Sequence, residues 1–197
     1  MKKAIAYLIG LVFVLSLLMV ACSGNTPSPQ TEDPKSAESV VTEESKTTGP
    51  HTGDIAPDFT LPDSNGNMVH LADELNDYRT VILVFYSEYG CFLCMNQLGG
   101  LAEDYTKFEE KGAQIIALAV QPQDEAALSV EKSKAQFPIL ADSEHAVADI
   151  YSVYNLFEDS EAAASVFIIS QDGRIIWDQI ATKAARVSSQ TILENLQ

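Results

Sequence analysis

Thr80-Val81-Ile82-Leu83-Val84-Phe85-Tyr86, followed by Ser87-Glu88-Tyr89-Gly90 and then Cys91-Phe92-Leu93-Cys94, decides the fold. The first seven residues are continuously apolar, β-branched or aromatic, which marks a strand buried on both faces. Helical spacing follows, with Leu98, Leu101, Ala102, Tyr105 and Phe108 recurring on one side of residues 94–111 until Gly112 ends the run. The cysteine pair therefore lies where a buried strand turns into a helix. In open α/β sheets, sites form beyond the carboxyl ends of the strands.

Outward from this point the pattern repeats. Gln114 to Val120 reads as a second buried strand, 124–136 as a second helix, 137–140 as a short extended run and 145–151 as a helical turn or two. Val166–Ile169 and Arg174–Gln179 read as a hairpin around Gln171-Asp172-Gly173, and Ser188–Leu196 as a closing helix. Upstream, Phe59-Thr60-Leu61 and Met68-Val69-His70-Leu71 flank Asp63-Ser64-Asn65-Gly66, whose Asn-Gly supplies the positive φ of a hairpin turn. A hairpin, then β-α-β-α, then β-β-α implies an α/β domain with a mixed central sheet over residues 54–197.

A thiol at a helix N-terminus meets unpaired N–H groups and the positive end of the helix dipole, which lower its pKa from about 8.5 toward neutrality. The thiolate is the nucleophile, and a second thiol three residues on can resolve the mixed disulfide it forms. Cys91 and Cys94 are thus the expected catalytic residues; greater exposure ahead of the first helical turn favours Cys91 as the attacking thiol and Cys94 as the resolving one over the reverse assignment. Other readings of the pair are two core cysteines, a zinc site drawing on His51, His70 and His145, and a copper site using both thiols with His145. Zinc needs about four ligands, and the three histidines are scattered along the chain. No cofactor is expected. Glu88 and the run Glu158-Asp159-Ser160-Glu161 read as solvated loop charges, and Trp177, Tyr151 and Tyr154 as packing residues.

Residues 1–21 stand apart. Lys2 and Lys3 precede an apolar stretch from Ala4 to Val20 that ends Leu18-Met19-Val20-Ala21-Cys22, the organisation of a secretory signal. Its end resembles the lipobox of bacterial lipoproteins, which implies that Cys22 is acylated and becomes the N-terminus. Residues 22–53, rich in Ser, Thr, Pro and Glu and without an aromatic, cannot bury enough apolar surface to order themselves and read as a spacer. The expected location is the outer face of a bacterial cell membrane, with the lipid as sole membrane contact. The formal net charge is −16, and loss of Lys2 and Lys3 with the leader makes it two units more negative. That charge argues against nucleic acid or anionic lipid as partners. Cys91 and Cys94 are then the remaining thiols, too close in sequence to staple a fold, so an apolar core must hold the domain.

From about Gly53 to Gln197 the chain resembles the redoxin group, the alkyl hydroperoxide reductase/thiol-specific antioxidant family and its thioredoxin-like relatives. The resemblance rests on Ala56-Pro57-Asp58-Phe59, the hairpin Asp63 to Leu71, Val84-Phe85-Tyr86, Gly112-Ala113-Gln114-Ile115-Ile116-Ala117 and Phe167-Ile168-Ile169-Ser170-Gln171-Asp172-Gly173. It implies a thioredoxin fold with an N-terminal β-hairpin, a protein-disulfide or hydroperoxide substrate, and a thiol electron donor. Peroxiredoxins carry Pro-x-x-x-Thr-x-x-Cys; aligned on Cys94, Ser87 holds the Pro position and Cys91 the Thr position. Ala163-Ala164-Ser165 holds neither the arginine of peroxiredoxins nor the cis-proline of thioredoxin-like reductases. These departures predict disulfide exchange with weaker peroxide reduction. A copper-handling protein of the same fold and a non-catalytic binding module are the alternatives.

Overall fold

The buried strand of the sequence is the middle strand of the molecule. A computed structural model describes residues 49–181 and 185–196; Cys22, the leader and most of the spacer lie outside the described residues. A small antiparallel pair, β1 (Thr60–Pro62) and β2 (Met68–His70), precedes α1 (Leu71–Asp77). Then come β3 (Thr80–Phe85), α2 (Phe92–Glu103), α3 (Tyr105–Glu110), β4 (Ala113–Ala119), α4 (Gln123–Ser133), β5 (Ile139–Ala141) and α5 (Ala146–Ile150). The chain closes with β6 (Ser165–Ser170), β7 (Ile175–Ile180) and α6 (Ser189–Glu194).

The sheet order is β5-β4-β3-β6-β7. β3 pairs parallel with β4 and antiparallel with β6, so the sheet is mixed, as the sequence order implies. Alternation along β3 divides the core in two. Ile82 and Val84 face Met95, Leu98 and Leu101 of α2, Phe108 of α3 and Ile192 of α6. Val81, Leu83 and Phe85 face Leu71 and Leu75 of α1, Val147 and Ala148 of α5, and Tyr151. The Tyr151 ring sits 5.3 Å from Phe85 and 5.1 Å from Phe167, and its hydroxyl donates to the Pro57 carbonyl at 2.9 Å. This is the mixed-sheet α/β sandwich of the thioredoxin fold, with its N-terminal hairpin.

The structure departs from the sequence reading in three places. The single helix expected over 94–111 is two helices, α2 and α3, parted at Asp104 (φ −96°, ψ 5°). There the carboxylate accepts from Lys107 Nζ at 2.6 Å and from the Ser189 hydroxyl, tying the break to the C-terminal segment. α1 is additional: its short run buries Leu71 and Leu75 one turn apart, too brief a period to stand out from the adjoining strand. The folded region also begins before residue 54. Gly53 N–H donates to Ile175 O at 2.8 Å, and Ala56 N–H to Gly173 O at 2.9 Å. The Asp178 carboxylate accepts from Thr52 N–H at 2.7 Å, from its hydroxyl at 2.6 Å, and lies 2.9 Å from His51 Nδ1. Residues 51–53, assigned to the spacer by composition, are therefore laid along β7.

Partial burial raises the Asp178 pKa, but the bonds from Thr52 and His51 outweigh it and hold the carboxyl below its ordinary value. A depressed folded-state pKa gives stability that is present above the unfolded value of about 3.9 and lost as pH falls through the folded one. Asp178→Ala should accordingly cost about 1–2 kcal/mol at pH 7 by urea unfolding. The difference from the parent should shrink below about pH 4.

Candidate active site

Phe85 ends β3, and Tyr86 locks the exit from it. Tyr86 is buried, its N–H donates to Leu118 O at 3.0 Å, and its hydroxyl accepts from Gln121 Nε2 at 2.6 Å. Burial pushes its pKa up to about 12, so it remains a neutral anchor. From there Ser87 to Gly90 climb to Cys91, whose N–H donates to Glu88 O at 3.3 Å. Cys91 is the N-cap of α2, with extended φ −74° and ψ 108°, and its Sγ accepts the Cys94 N–H at 3.2 Å. A sulfur thus fills the capping place usually held by a Ser, Thr or Asp oxygen. Cys94 lies in the first turn and is fully buried, whereas Cys91 is half-buried. The two are joined as a disulfide, their Cα atoms 5.2 Å apart. Phe92 and Leu93 between them project outward, 74% and 45% exposed.

Ala163–Ser165 carries no arginine, but one from elsewhere in the chain lies beside the sulfurs. Arg186 Nη2 lies 3.5 Å from Cys91 Sγ and 3.3 Å from Cys94 Sγ. The residues that follow it are fixed: Gln97 Nε2 of α2 donates to Val187 O at 3.0 Å, and Ser188 caps α6 by accepting the Thr191 N–H at 3.1 Å. Burial lowers the Arg186 pKa and the facing Glu161 opposes that, so the guanidinium stays charged beside the sulfurs. Sequence reasoning missed this residue because it looked for the arginine just ahead of the Phe167 strand. The available signal was scarcity: Arg186 is one of three arginines in the chain and stands two residues before the cap of the closing helix.

A cavity of about 230 Å³ opens in front of Cys91, between Ser87, the Ala163-Ala164 segment leading into β6 and Arg186. Phe157, Asp159 and Glu161 complete its wall, so the acidic run expected to be a plain solvated loop contributes two carboxylates to the site. Glu88 is exposed, as expected. His145 is engaged elsewhere, with Nδ1 2.6 Å from Asp149 and its ring stacked 4.0 Å from Tyr154. Among the described residues no group of three or more His, Cys, Asp or Glu side chains is gathered to hold a metal. The structure does not assemble the Cys91, Cys94 and His145 set that the copper reading requires.

Residues 52–178, nearly all of the sheet and the cysteine junction, match the model of the AhpC/TSA family. The chain belongs to the AhpC/TSA family. Peroxiredoxin Bcp of Escherichia coli is 27% identical over 139 residues, covering 66% of this chain and 86% of that protein. Peroxiredoxin Bcp of Bacillus subtilis is 28% identical over 138 residues, covering 66% and 87%. In structure, the peroxidoxin BcpB of Mycobacterium tuberculosis superimposes with a TM-score of 0.67 at 22% identity, over 75% of this chain and 96% of that one. AhpC of Enterococcus faecalis gives 0.68 at 20% identity, over 75% and 90%. Like others of the AhpC/TSA family, the protein is a thiol-dependent oxidoreductase of the peroxiredoxin-like type. Locally, the structure sets Ser87 at the cavity and the Arg186 guanidinium beside the Cys91–Cys94 pair.

A cation beside two sulfurs favours their thiolate forms. In the reduced protein, Arg186→Met should raise the pKa of the more reactive thiol by about one unit and slow its alkylation at pH 7 by about five- to tenfold. Arg186→Lys should recover part of the loss, because a point charge remains where the planar fork is gone. Thiolate ultraviolet absorbance followed across a pH titration checks the shift.

Proposed function

We propose that this is an extracytoplasmic thiol oxidoreductase, held to a membrane through acylated Cys22, that cycles Cys91 and Cys94 between dithiol and disulfide to reduce protein disulfides. The observation that carries the reading is the asymmetry of the pair. Cys91 opens on the cavity and caps a helix, whereas Cys94 is buried behind it. In the reduced state Cys91 thiolate attacks one sulfur of a substrate disulfide, forming a Cys91–substrate mixed disulfide and expelling the other substrate sulfur as thiolate. Cys94, as thiolate, then attacks Cys91 Sγ, expels the second substrate thiolate and leaves the intramolecular disulfide. A donor dithiol reverses both steps. The Cys94 N–H and Arg186 stabilise the charge on Cys91 before attack and when it leaves.

Hydroperoxide reduction is the second reading, and Arg186 is what favours it. Cys91 thiolate takes one peroxide oxygen as sulfenic acid and releases the alkoxide or hydroxide, which is protonated. Cys94 then condenses with the sulfenic acid and water leaves. With a guanidinium present but Cys91 in the Thr position, this activity stands second to exchange. A binding module that had lost its chemistry would have no use for an arginine held against both sulfurs.

Cys94→Ser should trap a mixed disulfide with insulin through Cys91, visible by mass spectrometry, and Cys91→Ser should trap none. An adduct or sulfenic acid confined to Cys94 would transfer the attacking role to that residue. Peroxide turnover at about 10⁴ M⁻¹s⁻¹ or more, with no reduction of insulin, would reverse the order of the two substrates.

The anchor rests on the sequence around Cys22 and on the polar residues that follow it. Metabolic labelling with a tagged fatty acid should mark the parent protein and not Cys22→Ala, and the variant should leave the membrane with its thiol chemistry intact. An unlabelled parent whose mature form still begins at residue 22 would remove the lipid from the proposal.

A further inference from the structure

Between α5 and β6 the chain makes an arch that walls the Cys91 cavity. Its neck is a short ladder: Ala163 N–H donates to Val153 O at 2.8 Å, Tyr154 bridges Ala162, and Asn155 N–H donates to Glu161 O at 2.8 Å. The neck is seated on the domain, with Val153, Ala162 and Ala163 buried in the same core cluster as Tyr151 and the Tyr154 ring stacked 4.0 Å from His145. Residues 156–160 form the crown. Phe157 and Asp159 of the crown, with Glu161 of the neck, line the cavity in front of Cys91.

The crown gathers on Asn155. The Asn155 carbonyl accepts the Glu158 N–H at 3.2 Å, and its Oδ1 accepts the Ser160 N–H at 2.8 Å. Asn155 itself sits at φ 54°, a left-handed conformation that Asn adopts more readily than most residues with a side chain. Glu158 at φ 59° and Ser160 at φ 60° lack that tolerance. Backbone of this kind persists only where its surroundings over-determine it, and Asn155 contributes three bonds to that end.

We infer that Asn155 is a positioning residue that fixes this wall and so decides how well a protein disulfide is received at Cys91. The inference rests on the exchange chemistry proposed above and adds a residue that governs its substrate selectivity. Attack runs in line with the S–S bond that breaks, so the substrate must be held in one orientation. A protein disulfide brings its flanking chain against the arch, whereas a small disulfide brings almost none. A preformed crown spares the substrate the entropy of ordering it, and a loose crown must be ordered at each encounter. The capping bond on Cys91 Sγ and the Arg186 contacts to the sulfurs lie outside the arch, so the reactivity of Cys91 itself should not follow Asn155.

The test uses the reduced full chain in single turnover, against insulin and against bis(2-hydroxyethyl) disulfide. Two electrons pass from the Cys91–Cys94 dithiol to the disulfide, giving the protein disulfide and two substrate thiols. For Asn155→Ala, which removes only the Oδ1 bond, the half-saturating insulin concentration should rise about tenfold and the limiting rate stay within about threefold. Reduction of the small disulfide and alkylation of Cys91 by iodoacetamide should stay within about twofold of the parent, because neither needs the wall. Asn155→Asp keeps the acceptor and the left-handed tolerance and should restore insulin binding to within about threefold. Asn155→Gly keeps the backbone freedom without the oxygen and should behave as the Ala variant does. Urea unfolding tells a folding defect apart, and if the Ala variant does not fold, the Asp and Gly variants decide alone. Equal losses on both disulfides, a loss confined to the limiting rate, slower alkylation, a glycine variant that matches the parent, or no loss at all would overturn the inference, while insulin reduction by the parent left the proposed function standing. If the parent left insulin untouched, both would fall together.

Discussion

Strand β3 is buried on both faces and hydrogen-bonded on both sides, parallel to β4 and antiparallel to β6. Few positions in the domain have less freedom, and the chemistry is hung from its end. Tyr86, fixed by the Leu118 carbonyl and Gln121, continues the constraint one residue beyond the ladder. The chain then has four residues in which to turn and start α2. Cys91 falls at the cap of that helix because the strand ends where it does. Shifting the register of β3 by one residue would exchange its two core faces and move the sulfur off the helix axis together.

The second half of the site comes from the opposite end of the chain, and it is held by α2 as well. Gln97 grips the Val187 carbonyl, and Asp104, at the break between α2 and α3, grips Ser189. The helix that presents the cysteines therefore also positions the arginine that faces them. The break at Asp104 serves this purpose: a continuous helix would keep its backbone regular but would place the carboxylate according to helical pitch alone. Packing of Ile192 and Leu196 against the same core as Leu98 and Leu101 completes the attachment.

The parts of this arrangement that were legible in the sequence are those with a strong local signature. The run Thr80 to Tyr86 announces a doubly buried strand, Asn65-Gly66 a turn with Gly66 at φ 87°, and Gly112, at φ 70°, a helix end. Cys-x-x-Cys at a strand–helix junction points to its own chemistry. What was not legible depends on contacts between segments far apart. Arg186 reaches Cys91 across 95 residues of sequence, and no local pattern marks an arginine that will lie half-buried beside sulfur. Asp159 and Glu161 look solvated in a run of acids, and only the return of the chain past Cys91 makes them walls of a cavity. Likewise, His51 and Thr52 have the composition of a spacer but find Asp178 on β7. Composition reports what a segment could do alone, not which partner folding will bring to it.

The spacing of the two sulfurs within one helical turn has a consequence for survival under oxidant. In the proposed cycle, a sulfenic acid on Cys91 finds its captor already three residues away, with a Cα separation of 5.2 Å in the closed disulfide. No strand has to peel away and no helix has to unwind before condensation. Further oxidation to sulfinic acid requires a second peroxide to arrive during the wait for the resolving thiol, so shortening the wait closes the window for irreversible damage. Such a centre trades away the possibility of being silenced by excess oxidant. It would suit the extracytoplasmic location proposed above, where a damaged copy is beyond the reach of repair enzymes that consume ATP.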